Sequence, residues 1–208
     1  MKTTWNNKIS GLFILSVTAF SVFPQITIAQ MLYVDGATGN DSTVITANNA
    51  SSPWRTIGRA AWGSTNRGAP NTAQAAQPGD TVIIRAGTYT TTGTGLRYLP
   101  AYNPANSGTV SNPIIFQAES GVSLNYSSSG GPVIGVYQRD YITWKGFVVN
   151  EVNVPLAGEA SVIGWESNGV RFENLTIIAD PAYAPGDNHA GIFISNSRDL
   201  VVRNTRIS

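Results

Sequence analysis

The sequence predicts an all-β fold: a right-handed single-stranded parallel β-helix, a solenoid, with a short N-terminal capping helix. Three observations carry that expectation. Five similar segments begin at residues 82, 114, 142, 170 and 200, so they are spaced by 32, 28, 28 and 30 residues, a period in the solenoid range. Within the later copies apolar and polar residues alternate, as a strand with one buried face requires. Turn-forming Gly, Ser, Asn and Asp separate the strands, with no helical pattern between them, which disfavours an α/β sheet.

Taken in chain order, residues 1–29 read as a signal peptide. Lys2 and Lys8 precede an apolar run from Ile9 to Phe23, Pro24 breaks it, and Thr27-Ile28-Ala29 supplies small residues before Gln30. A run of roughly 15 apolar residues is short for a membrane span. Export is therefore expected, with no membrane attachment after cleavage, and residues 30–208 are expected to form the β-helix domain. A helix is predicted over Trp54 to Trp62, with Ser52 as N-cap, Pro53 at the first helical position, Ile57, Ala60 and Ala61 on one face, and Gly63 at its end. Laid across the first coil, it would cover exposed strand edges.

The repeated segments follow. They are Val82 to Gly87, Ile114 to Glu119, Ile142 to Phe147, Val170 to Leu175 and Leu200 to Thr205. Val170, Phe172 and Leu175 are expected inside, Arg171 and Glu173 outside, and Trp144 in the core. A second, shorter strand precedes each of the last three copies, at Val133-Ile134, Val162-Ile163 and Ile192 to Ile194. One such unit cannot bury its apolar side alone; stacking each turn on the last does so.

Composition narrows the function. Cys is absent, so disulfides and thiolate chemistry are excluded. A net charge of +1, falling to −1 once Lys2 and Lys8 leave with the signal, argues against a nucleic-acid partner.

The opening residues carry a family resemblance. Tyr33-Val34-Asp35, Gly39-Asn40-Asp41, Ser52 to Ile57, Gln77 to Val82, Gly87-Thr88-Tyr89 and Asn112 to Ile115 resemble the start of proteins of the pectin-lyase-like superfamily. They are most similar to polysaccharide lyase families six and nine, which include alginate, chondroitin and pectate lyases. The resemblance implies a secreted protein that cleaves a uronic-acid polysaccharide by β-elimination, with a Lys or Arg as base and calcium held by Asp or Glu. An acidic polysaccharide is the expected partner and a monomer the expected state.

Candidate site residues are few, and no catalytic residue is assigned. The densest polar loop holds Asp180, Asp187 and Asn188 beside His189. Its carboxylates and amide are the candidate metal ligands, although Pro181, Pro185 and Gly186 also suit an ordinary solvated loop. Tyr98, Tyr102 and Tyr183 lie in loops and are the candidate sugar-stacking residues; the polar segment from Thr90 to Asn112 could overhang a groove. Lys145 is the sole lysine after the signal and sits on an outward strand position. Arg171, Arg198, Arg203 and Arg206 form either a basic strip or surface pairs with Glu173 and Asp199. Glu151, Glu159 and Glu166 present no evident facing pair of the kind a glycoside hydrolase needs. The chain stops after a fifth-coil strand with no cap, so it is expected to be the N-terminal part of a longer protein whose catalytic coils lie partly beyond Ser208. The alternatives are a non-catalytic carbohydrate-binding or adhesin-like protein and a glycoside hydrolase on the same scaffold.

Overall fold

The structure, a computed structural model, describes residues 28–92, 94, 96, 98–127, 131–152, 160–179 and 190–208. The signal segment thus lies almost wholly outside the described residues. Strands dominate, and every strand pairing is parallel. A six-stranded sheet stacks β1 (Met31–Val34), β2 (Thr81–Ile84), β4 (Ile114–Ala118), β7 (Ile142–Lys145), β10 (Arg171–Glu173) and β13 (Val201–Arg203). A five-stranded sheet holds β3 (Gly87–Thr92), β5 (Val122–Ser127), β8 (Val148–Val152), β11 (Thr176–Ile178) and β14 (Arg206–Ile207). A three-stranded sheet joins β6 (Ile134–Tyr137), β9 (Ala160–Trp165) and β12 (Ala190–Ser195). From β6 onward each pass of the chain adds one strand to each sheet, and no sheet closes on itself.

The five predicted segments supply five strands of the six-stranded sheet, β1 being the sixth, with two adjustments. Ile114 pairs with Ile142 and Phe172 with Trp144 and Val202, as the repeat implied. The first copy is displaced: Val82 pairs with Phe116, not Ile114. A shift of two residues preserves which side chains face inward, so the alternation alone does not detect it. The segments are also not single strands. Gly146, Asn174 and Asn204 have φ of 81°, 54° and 51°, a left-handed kink that turns the chain into the five-stranded sheet. Phe147 and Leu175 are buried beyond that corner, so Leu175 points inward by turning, not by strand alternation.

The left-handed positions recur coil by coil. Gln138, Glu166 and Asn196 form one set, and Tyr141, Gly169 and Asp199 another. Inside, an aromatic column crosses the coils: the Phe116 and Trp144 rings stack at 4.3 Å, and Phe147 meets Trp144 edge-on at 5.5 Å. The Trp144 indole N–H donates to the Gly135 carbonyl at 3.2 Å, so the polar tip is satisfied in the core.

The helix is shorter than expected, α1 (Ile57–Trp62), and its N-cap is Thr56, whose hydroxyl accepts from the Arg59 amide. Trp54 instead extends the sheet, donating its amide to Tyr33 O at 2.9 Å while its carbonyl accepts from the Asp35 amide at 2.8 Å. Backbone groups committed to β1 cannot also start a helix, which moves the helix start to Thr56. Asp41 fixes that start by accepting from the amides of Arg55 and Thr56 and from the Thr56 hydroxyl. Gly63 ends the helix at φ 69°. Buried Arg59 ties the module together, donating to the carbonyls of Asp41, Thr43 and Gln74. No helix of the described residues is long and apolar enough to cross a membrane.

Candidate functional site

The three-stranded sheet presents the most distinctive outer surface. In β9, an added Cβ on Gly164 would meet Phe172 of the core and the partly buried Leu200, so Ile163 and Trp165 point to the opposite side of the sheet, where Ile163 is covered and Trp165 is half-buried. Trp165 sits in register with Tyr137 of β6 and Ser195 of β12. Tyr98 stacks on its ring at 4.0 Å and 26°, and Phe193 lies 5.8 Å away at 21°. The three rings form a stack, the shelf, in which the loop residue Tyr98 and Phe193 of β12 each pack on Trp165 of β9. Tyr98 and Phe193 are 36% and 40% exposed, enough to offer apolar faces to a ligand. Beside the shelf, at the left-handed corner, Gln138 Nε2 donates to Glu166 Oε2 at 2.7 Å. An exposed outer ring face at the end of the stack, flanked by an amide and a carboxylate, suits a sugar ring, whose C–H face packs on π-systems while its hydroxyls seek polar partners.

The segment that carries Tyr98 is held down rather than left overhanging. Ala101 and Tyr102 donate their amides to Pro132 and Val133 along the β6 side. Asn103 accepts from the Tyr137 amide at 2.8 Å and donates to its carbonyl at 3.2 Å. Farther on, Asn106 reaches the carbonyls of Thr72 and Ala76.

Of the candidate stacking residues, the structure places Tyr98 in the shelf. Tyr102 turns inward: it is 5% exposed and packs on Trp62 at 5.9 Å. Its ring fills the space between the N-terminal module and the coils, so the expectation of a surface tyrosine is corrected there. Burial pushes its hydroxyl up to about 12. Tyr183 and the candidate metal ligands Asp180, Asp187 and Asn188 lie outside the described residues, as do His189 and Glu159. Among the described residues no three His, Asp or Glu side chains converge as a metal site would need. Glu151 is buried and accepts from the Ser161 hydroxyl. Of the arginines, Arg203 bonds Glu173 at 2.9 Å.

Trp165 was missed at the sequence level. The signal was present: Val162 and Gly164 alternate with Ile163 and Trp165, which puts the tryptophan outside. Only the fold shows that Tyr98, 67 positions earlier (165 − 98), lands on it.

No protein-family model matches the sequence, and no curated protein matches it. Among solved structures, a rhamnogalacturonan lyase aligns with a TM-score of 0.55 at 16% identity, over 86% of this chain and 51% of that one. The likeness is one of fold. This chain spans about half the length of that lyase. The match is compatible with the all-β fold of parallel sheets and does not reach to polysaccharide lyase families six and nine.

Proposed function

We propose that this is a secreted polysaccharide-acting protein, a right-handed parallel β-helix, that holds a glycan chain along the shelf of Tyr98, Trp165 and Phe193. The observation that carries the reading is the outward aromatic row, with rings at 4.0 and 5.8 Å, on a sheet whose neighbours share its register. The right hand rests on the strong preference of parallel crossover connections for that handedness. The fold likeness to a rhamnogalacturonan lyase and the lyase-like opening support a full-length protein that cleaves uronic-acid polymers by β-elimination. In that reading the shelf positions sugar rings; rim groups such as Gln138 and Glu166 orient their hydroxyls. Calcium belongs to the family resemblance. The described residues offer no cluster of three acidic or histidine side chains to hold it.

The test is affinity electrophoresis of the secreted protein in gels containing polygalacturonate, alginate or rhamnogalacturonan, with ultraviolet detection of unsaturated products. Retardation by at least one polymer is expected. Trp165→Ala should weaken it about tenfold or more, the loss of roughly 1–3 kcal/mol for one stacked ring. Unchanged retardation of Trp165→Ala would remove the shelf from the function. Retardation without unsaturated products would favour the carbohydrate-binding alternative.

A further inference from the structure

The outer face of the six-stranded sheet carries a feature the shelf does not use. Down one register column stand Gln117, Lys145, Glu173 and Arg203. The adjacent outward column carries Thr143 and Arg171. Parallel strands lie about 4.8 Å apart, so three cations share a patch on three successive strands. Within these two columns they face one carboxylate, Glu173, so the columns carry +2 (three minus one), with the acids Glu119, Asp140 and Asp199 at the adjoining corners. Arg203 holds Glu173 at 2.9 Å, with the carboxylate side chain 7% exposed and the guanidinium side chain 59% exposed. The anion is thus sunk into the surface while the cation remains open to solvent. Arg171 is exposed, and Lys145 Nζ reaches Gln117 Oε1 at 3.5 Å. Of the acids at the adjoining corners, Asp140 accepts from Asn168, whereas Glu119 and Asp199 are exposed.

We propose that this strip is a second docking surface, distinct from the aromatic shelf, that binds the carboxylates of an acidic polysaccharide; it rests on the reading of the chain as polysaccharide-acting. Guanidinium groups match carboxylates with paired N–H donors, and a lysine adds a point charge. Each exposed contact is weak, about 0.2–1 kcal/mol. A polymer engages several at once, so the contacts accumulate on one ligand. Attraction of this kind is screened as salt rises.

The experiment measures binding of the full chain to polygalacturonate, dextran sulfate and neutral dextran at low and high salt. Wild type is expected to bind both polyanions more tightly at low salt. Lys145→Gln/Arg171→Gln, which leaves the Arg203–Glu173 pair intact, should weaken polygalacturonate binding about tenfold at low salt. Its affinity for neutral glycans should not change. Glu173→Gln should tighten polyanion binding, a gain that misfolding cannot produce. Polygalacturonate binding that keeps its strength and salt slope in Lys145→Gln/Arg171→Gln overturns the strip alone. If Trp165→Ala binds normally while the strip variant is weakened, the shelf reading fails and the strip stands.

Discussion

At Tyr102, burial outweighs every other influence on the hydroxyl, raising it from 10.0 to about 12, with the Thr91 hydrogen bond only partly offsetting the effect. The group is more easily ionised in the unfolded chain than in the folded one. Its contribution to stability is therefore complete below pH 10 and lost as pH rises toward 12. The shift corresponds to about 2–3 kcal/mol. Denaturant melts across that alkaline range should show the loss, and Tyr102→Phe should flatten it. Asp35 has the opposite sign. Hydrogen bonds from the Thr38 hydroxyl, then its amide, lower the carboxyl from 3.8 to about 2, helped by Ala37 and Arg85. That group stabilises the fold above pH 3.8 and ceases to do so as pH falls toward 2. Asp35→Asn should make acid melts less steep over that window.

Edges and corners decide behaviour at the scale of elements. Asn48 accepts from the Tyr33 amide at 2.7 Å and donates to its carbonyl at 3.0 Å, so one side chain completes, beside Trp54, the covering of the β1 edge. Asn103 makes the same pair of bonds to Tyr137 of β6. Both occupy edges that would otherwise invite pairing with other chains. Asn48→Ala and Asn103→Ala should each cost about 1–3 kcal/mol by leaving backbone groups unsatisfied, and light scattering of either variant should reveal association. At the corner between the two larger sheets, Gly146 has φ 81°, and an added Cβ would lie 2.9 Å from the Ala118 carbonyl oxygen. Gly146→Ala should cost about 1–2 kcal/mol, or about 2–8 °C in Tm. Asn174→Gly, at the equivalent corner of the next coil, should be tolerated, because asparagine already adopts that backbone there at φ 54°.

For the whole molecule, stability is a sum over coils and the contacts between them. The Phe116–Trp144–Phe172 column is one such contact, since its residues pair across three consecutive strands of one sheet. Trp144 is fully buried and touches rings on both Phe116 and Phe147. Trp144→Ala should cost about 3–5 kcal/mol. It should also split urea unfolding into separate transitions for the coils on either side, whereas Trp144→Phe should retain a single transition. The proposed glycan binding is likewise a property of several coils, because Tyr98, Trp165 and Phe193 come from three separated parts of the chain.

The sequence by itself determined the parallel-strand repeat, the inward set and the turn positions. Those features are local in origin: alternation within a strand, and Gly or Asn where the backbone must kink left-handed. It also located the helix, while misplacing its start, because Trp54 is diverted by backbone hydrogen bonds with Tyr33 and Asp35, about 20 positions earlier in the chain. The five-stranded sheet was not read from the sequence: Val122, Leu124 and Tyr126 of β5 alternate with polar residues, but the other strands of that sheet do not repeat the pattern. Only the tertiary structure decided the two-residue displacement of the first copy, the inward turn of Tyr102 and the meeting of Tyr98 with Trp165. Each depends on which residue of one coil lies above which residue of the next. That registry is set by packing across the stack, and a period-two pattern is unchanged when a strand slides by two.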